Sequence, residues 1–291
     1  MKVIIHPGAH GTNEDRLTKT LLRNRDRFLA KGCMVPGPAK YRVLLKECVA
    51  AARVHPPSPA ACEVLWDAIL EGEQASRVVL TNQHFFGSQR DALENQRFYP
   101  EAGPRLRALE TLLPDDEIEL MMAIRSPIGF LPAMLEKAHP NRRAAVLSSA
   151  DLTKMRWSEL FIRIRQAVPN MAVTVWCQED LPLLWPQLLR RFGGLEDGAW
   201  IAGGMDILGE ILSPEGLTRL RAYLKMHPDL PEPLRRRVYA AFLDKYARDD
   251  EIEEDVQIPG WTPDFVDHVE ALYDRDVQHI AAIPGVTMLT P

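Results

Sequence analysis

Four short apolar runs, each closed by a polar or glycine-bearing turn, constrain this chain more than any other feature. They are Val3-Ile4-Ile5, the stretch Arg77 to Thr81, the stretch Ile118 to Ile124, and Ala172 to Trp176. Short runs that are apolar without alternation are strands buried on both faces. Helical periodicity lies between them. Asn13 reads as the cap of a helix with Leu17, Leu21, Leu22, Phe28 and Leu29 on one face, closed by Gly32. Helices are further predicted over 39–53, 59–75 behind Ser58-Pro59, 104–113, 128–138 and 157–167, and another is capped by Asp180. Residues 82–104 read mostly as loop. Beyond 195 the pattern is helical, over 214–226, 231–248 and 263–282. Strands alternating with helices predict an α/β fold around a mostly parallel central sheet covered on both faces. One domain is expected, its sheet core over about 1–195 and a helical C-terminal lobe over about 196–291.

Ligands of such sheets bind at the carboxyl ends of the strands. Those ends are the segments His6–Asn13, Thr81–Phe86, Arg125–Phe130 and Cys177–Asp180.

Charge narrows the ligand. Residues 1–150 carry 20 basic and 17 acidic side chains, while residues 151–291 carry 15 and 23. Ten basic side chains fall within 16–53 against only Asp26 and Glu47, next to the first strand-end loop, which favours an anionic ligand. Nucleic acid is not the expected partner, because the chain is acidic overall and aromatics are sparse among the basic residues. The run Asp249 to Asp255 reads as a solvated acidic loop. Cys33, Cys48, Cys62 and Cys177 form no CxxC pair and read as free thiols. The apolar start Met1–His6 is too short for a signal peptide, and no apolar stretch approaches the ~20 residues of a membrane span. A cytoplasmic protein without membrane contact is expected.

The first loop reads His6-Pro7-Gly8-Ala9-His10-Gly11-Thr12-Asn13-Glu14-Asp15. A strand, a glycine-bearing loop and a helix together present free backbone N–H groups to an anion. A Walker loop would need Gly-Lys-Ser/Thr where Asn13, Glu14 and Asp15 stand, so ATPase and GTPase readings fit poorly. His6, His10, Glu14 and Asp15 offer N and O donors for a divalent ion, but a strand end and a helix interior do not obviously converge, and no metal is expected.

Ile4-Ile5-His6-x-Gly8-x-His10-x-Thr12, followed by a leucine-rich helix with Asn24, Gly32 and Pro36, resembles a bacterial branch of the sulfotransferase superfamily. Ile124-Arg125-Ser126-Pro127 is similar to that family's second signature. Trp157-Ser158-Glu159-Leu160, Trp176 with Glu179-Asp180, and the segments Pro259-Gly260-Trp261, Tyr273 to Asp276 and Pro284-Gly285-Val286 also resemble it. The resemblance implies a P-loop-like three-layer sandwich. It also implies a cosubstrate, 3′-phosphoadenosine 5′-phosphosulfate (PAPS), whose sulfuryl group goes to a hydroxyl acceptor. Gly8, Gly11, Thr12 and Asn13 would cradle the 5′-phosphosulfate and Arg125 the 3′-phosphate. His84, where relatives often carry a carboxylate base, and His10 are the catalytic candidates. The family's loop lysine aligns with Gly11, its Gly-Thr-Thr with Asn13-Glu14-Asp15, and its 3′-phosphate serine with Ala133. Two other readings stay open: a non-catalytic binding or interaction protein of the same fold, and a metal-assisted enzyme on it.

Overall fold

Side-chain alternation along the first strand shows how one sheet serves two cores. In β1 (Lys2–His6), Val3 and Ile5 pack on one face while Ile4 packs on the other, all three fully buried. The computed structural model of this chain describes residues 1–12, 14–137, 143, 146, 150–248, 258 and 260–291. After β1 come α1 (Glu14–Arg23), α2 (Arg25–Leu29), β2 (Cys33–Met34), α3 (Pro38–Ala52), α4 (Pro59–Leu70) and β3 (Arg77–Thr81). A small hairpin, β4 (Leu93–Glu94) and β5 (Arg97–Phe98), precedes α5 (Ala102–Leu112), β6 (Glu117–Ile124) and α6 (Pro127–Lys137). Then follow α7 (Trp157–Ala167), β7 (Ala172–Cys177), α8 (Leu181–Gly193), α9 (Asp206–Ile211), α10 (Pro214–Met226), α11 (Glu232–Tyr246), α12 (Pro263–Ala281) and β8 (Val286–Leu289).

The central sheet has six strands in the order β2-β3-β1-β6-β7-β8, and every pairing in it is parallel. The predicted α/β class with a mostly parallel sheet is what the structure shows. β1 connects toward the β2 edge and β6 toward the β8 edge, so the order reverses between these two neighbours. The crevice beyond their carboxyl ends is where an open α/β sheet places its ligand. One face of the sheet packs on α3, α4, α5, α7 and α12, the other on α1, α2 and α8. α9, α10 and α11 enclose a small core of their own around Leu208, Leu212, Leu220 and Tyr239. A buried ion pair between Arg190 on α8 and Glu232 on α11 ties this layer to the rest. Among the described residues no helix is long and apolar enough to cross a membrane.

Several elements differ from the expectation. The C-terminal third is not helical throughout: α12 packs on α6 and α7, and β8 extends the main sheet beside β7. The first helix breaks at Asn24, whose side-chain amide donates to the carbonyls of Thr20 and Ala202 and accepts from the Ala202 N–H. A short polar side chain there competes for the hydrogen bonds that would continue the helix. The loop 82–104 contains the β4–β5 hairpin, turned by Asn95 and Gln96, both at positive φ as a tight two-residue hairpin demands. Asp180 stands at the start of α8 but makes no side-chain capping bond. Ser58, Ser213 and Thr262 do cap their helices, each accepting a backbone N–H three residues on. The acidic stretch 249–255 lies outside the described residues.

Candidate functional site

β1 and β6 deliver their loops to the same place. Arg125, immediately after β6, donates from Nη1 to the Gly11 carbonyl at 2.7 Å. Its own carbonyl accepts the Trp157 indole N–H at 2.8 Å, which anchors the strand end to α7. Gly8 and Gly11 both have positive φ, +65° and +79°. At Gly11 a Cβ would stand 2.8 Å from the Ala133 Cβ on α6 and 3.2 Å from Arg125 Nη1. Only glycine combines that backbone with that approach. Residue 11 therefore has no space for a side chain, and Ala133 is what fills the space beside it. Thr12 donates its hydroxyl to the Ala9 carbonyl at 2.6 Å, which closes the loop on itself. Asn13 lies outside the described residues.

A cavity of about 530 Å³ opens beside this loop, within the size range of small-molecule sites. Arg16, Lys19, Arg23 and Arg125 line it, and so do Asp15, Glu136, Asp206 and Glu210. Arg16 pairs with Glu210 at 2.6 Å and Arg23 with Asp206 at 2.8 Å. The basic excess of residues 16–53 is thus partly spent on carboxylates from the acidic half of the chain. Further along it, Arg25 and Lys40 pair with Glu71, and Arg53 with Glu101. Arg42 donates to the Thr81 carbonyl at 2.7 Å and braces the end of β3. Lys19 is exposed and makes no ion pair among the described residues, so it remains available to an anion.

The two histidine candidates meet. His10 Nε2 lies 3.4 Å from His84 Nδ1, and His10 Nδ1 lies 2.9 Å from the Tyr99 hydroxyl, which also accepts the His10 backbone N–H at 2.9 Å. His10 is buried and His84 exposed, so the ordered ring sits behind the accessible one. The Asn82 side-chain oxygen accepts the His84 N–H at 3.1 Å and fixes the loop after β3. Tyr99 had no sequence signal beyond its place in the aromatic segment Phe98-Tyr99-Pro100. From a residue at φ of +45°, its hydroxyl reaches a loop 89 residues earlier.

His6 goes elsewhere. Its ring stacks on Trp176 and meets Phe192 edge-on, on the α8 side of the sheet. Burial, with a smaller contribution from the Arg42 charge, lowers its pKa to about 3 and keeps it neutral. Among the described residues no three His, Cys, Asp or Glu side chains converge as metal ligands.

A second polar cluster lies beyond β6 and β7. The Ser126 N–H donates to Glu179 at 2.7 Å, its hydroxyl donates to Glu270 at 2.5 Å, and the Tyr273 hydroxyl donates to Glu179 at 3.1 Å. Burial and the neighbouring Glu179 push Asp180 up to about 6. Burial raises Glu270 as well, against the Ser126 hydrogen bond and with the added repulsion of Glu179 and Asp274. Cys33 and Cys177 are buried free thiols, each pushed up to about 12 by burial.

Comparisons with protein-family models, with curated proteins and with solved structures return no match for this chain.

Proposed function

We propose that this chain is a sulfotransferase-like protein that holds a PAPS-type nucleotide at the β1–α1 loop and passes its sulfuryl group to a hydroxyl acceptor. The observation that carries the reading is the His84–His10–Tyr99 relay, which stands between the loop and a second cavity. In one tautomer His84 Nδ1–H donates to His10 Nε2, and His10 Nδ1–H donates to the Tyr99 oxygen. His84 Nε2 then keeps a lone pair for a proton, as a general base requires. The acceptor oxygen would form a bond to sulfur while the bond from sulfur to the bridging phosphate oxygen breaks. The electron pair leaves with the nucleotide phosphate, and the acceptor proton passes to His84. Arg125 and Lys19 supply positive charge in the absence of the family lysine, a preorganised electrostatic contribution.

A specific observation also favours a second reading, nucleotide binding without turnover. Gly11 excludes a lysine, and Asp15 and Glu136 line the cavity beside it. Calorimetry with 3′-phosphoadenosine 5′-phosphate tests both. Binding that is lost in Arg125→Ala supports the site. Sulfuryl transfer that falls in His84→Gln with nucleotide affinity unchanged selects the enzymatic reading. The absence of heat at millimolar nucleotide removes both.

A further inference from the structure

A smaller cavity, of about 80 Å³, adjoins His84 on the side of α3 and α5. Its polar lining is Lys46 and Arg53 from α3 and its C-terminal end, Asn82 and His84 from the loop after β3, and Arg105 from α5. Its volume is that of about two to three water molecules, the space of one carboxylate, sulfate or phosphate group. Arg53 and Arg105 converge here although both are cations. Glu101 pairs with Arg53 at 2.7 Å and, with Asp91, offsets part of that charge. Lys46 makes no ion pair among the described residues. Arg105 donates from Nη1 to the Phe85 carbonyl at 3.0 Å, yet its Nε is buried with no hydrogen-bond partner. An oxyanion in the cavity meets the charges of Lys46, Arg53 and Arg105 together. The side-chain oxygen of Asn82 is taken by the His84 N–H, which leaves its NH₂ as a further donor. Val49, Ala50 and Phe85 supply an apolar wall for a carbon skeleton.

We infer that this cavity binds an oxyanionic head group of the acceptor, so that the acceptor class is hydroxyl compounds bearing a carboxylate, sulfate or phosphate. The anion site stands on its own geometry; its assignment to the acceptor rests on the sulfuryl-transfer reading. A head group held by Arg105 and Lys46 sets the acceptor against His84, whose ring touches His10, the neighbour of Gly11 in the larger cavity.

Calorimetric titration of the full chain with inorganic phosphate and with glycerol 3-phosphate tests the inference. Both are expected to bind, glycerol 3-phosphate more tightly by about threefold or more. Arg105→Gln is expected to weaken both at least about tenfold, the loss of one charge-assisted hydrogen bond. Lys46→Gln, at an exposed residue without an ion pair among the described residues, is expected to weaken them about threefold. Because Arg125 lines the larger cavity, the binding assigned to this smaller one is expected to survive Arg125→Ala as a distinct phase of the titration. Unchanged affinity in Arg105→Gln and Lys46→Gln overturns the site, and so does a loss confined to Arg125→Ala, which would place the anion in the larger cavity. Equal affinity for the two probes overturns the acceptor assignment. Titration with 3′-phosphoadenosine 5′-phosphate separates the two readings: phosphate binding without nucleotide binding sinks sulfuryl transfer and leaves the anion site standing.

Discussion

The Arg125 guanidinium holds the Gly11 carbonyl at 2.7 Å, and the Ala133 methyl occupies the direction in which a side chain at residue 11 would grow. Placing lysine there strains the loop. A non-glycine residue at φ of +79° costs about 1–2 kcal/mol, and the 2.8 Å contact adds an overpacking cost of about 1–3 kcal/mol. Gly11→Lys is expected to lower the denaturation midpoint and to weaken nucleotide binding. Ala133→Gly in the same chain is expected to recover the contact cost and not the backbone cost, which a double-mutant cycle in urea measures.

Asp15 lines the larger cavity, is exposed, and opposes any phosphate bound there. One carboxylate about 6 Å from a phosphate in water-like surroundings contributes about 0.7 kcal/mol of repulsion. Asp15→Asn is expected to tighten binding of 3′-phosphoadenosine 5′-phosphate about threefold. The gain should shrink as salt is raised from 20 to 500 mM. An affinity that does not move at low salt means that the anion does not approach α1.

His6 sets the acid side of the stability profile. Its imidazole stays neutral in the fold down to about pH 3, whereas the unfolded chain takes up that proton below about pH 6.5. The unfolded state binds more protons in that window, so stability is complete above about 6.5 and falls toward 3, by at most about 1.4 kcal/mol per pH unit. Asp180 acts in the opposite sense. Its folded value of about 6 lies above the ordinary value of about 3.9, so it adds stability as pH falls from about 6 to 4. His6→Phe, which keeps an aromatic ring between Trp176 and Phe192, should flatten the loss between pH 6 and 3. Asp180→Asn should steepen the profile between pH 6 and 4 and raise stability at pH 7. Urea midpoints measured at half-unit intervals read both.

Asp276 on α12 accepts the backbone N–H groups of Trp157 and Ser158 at 2.6 and 3.2 Å, as well as the Ser158 hydroxyl. It therefore caps α7 from a distant part of the chain, and its negative charge suits the positive end of that helix. Asp276→Ala leaves buried donors unpaired and is expected to cost about 2–3 kcal/mol. Because Trp157 also holds the Arg125 carbonyl, the same variant should weaken nucleotide binding. Asp276→Asn should recover part of the stability.

The interior strands were legible because burial on both faces writes an unbroken apolar run, as in β3 and β6. β2 and β8 were not. Cys33-Met34 is two residues long, and Val286 to Leu289 is four residues at a sheet edge, only partly buried. Neither length holds a period. The strand-end loops were legible as a candidate site, since Gly8, Gly11 and Arg125 stand where turns and charges fall. Their partners were not. Tyr99 reaches His10 across 89 residues, and Arg105 reaches the cavity beside His84 from another helix. The pairing of Arg16 with Glu210 was equally hidden, so a local excess of charge in the chain overstated the excess at the site.

The Asp276 cap also has a timetable. Trp157 and Ser158 leave the ribosome 119 and 118 residues before the carboxylate that satisfies their N–H groups. At ~5–20 residues per second the wait is on the order of ten seconds. Throughout it α7 has an open positive end, Trp157 lacks its final seat, and the ledge that presents Arg125 is unfinished. The cavity beside Gly11 and Arg125 thus matures with the last helix, long after the loop that lines it has been made.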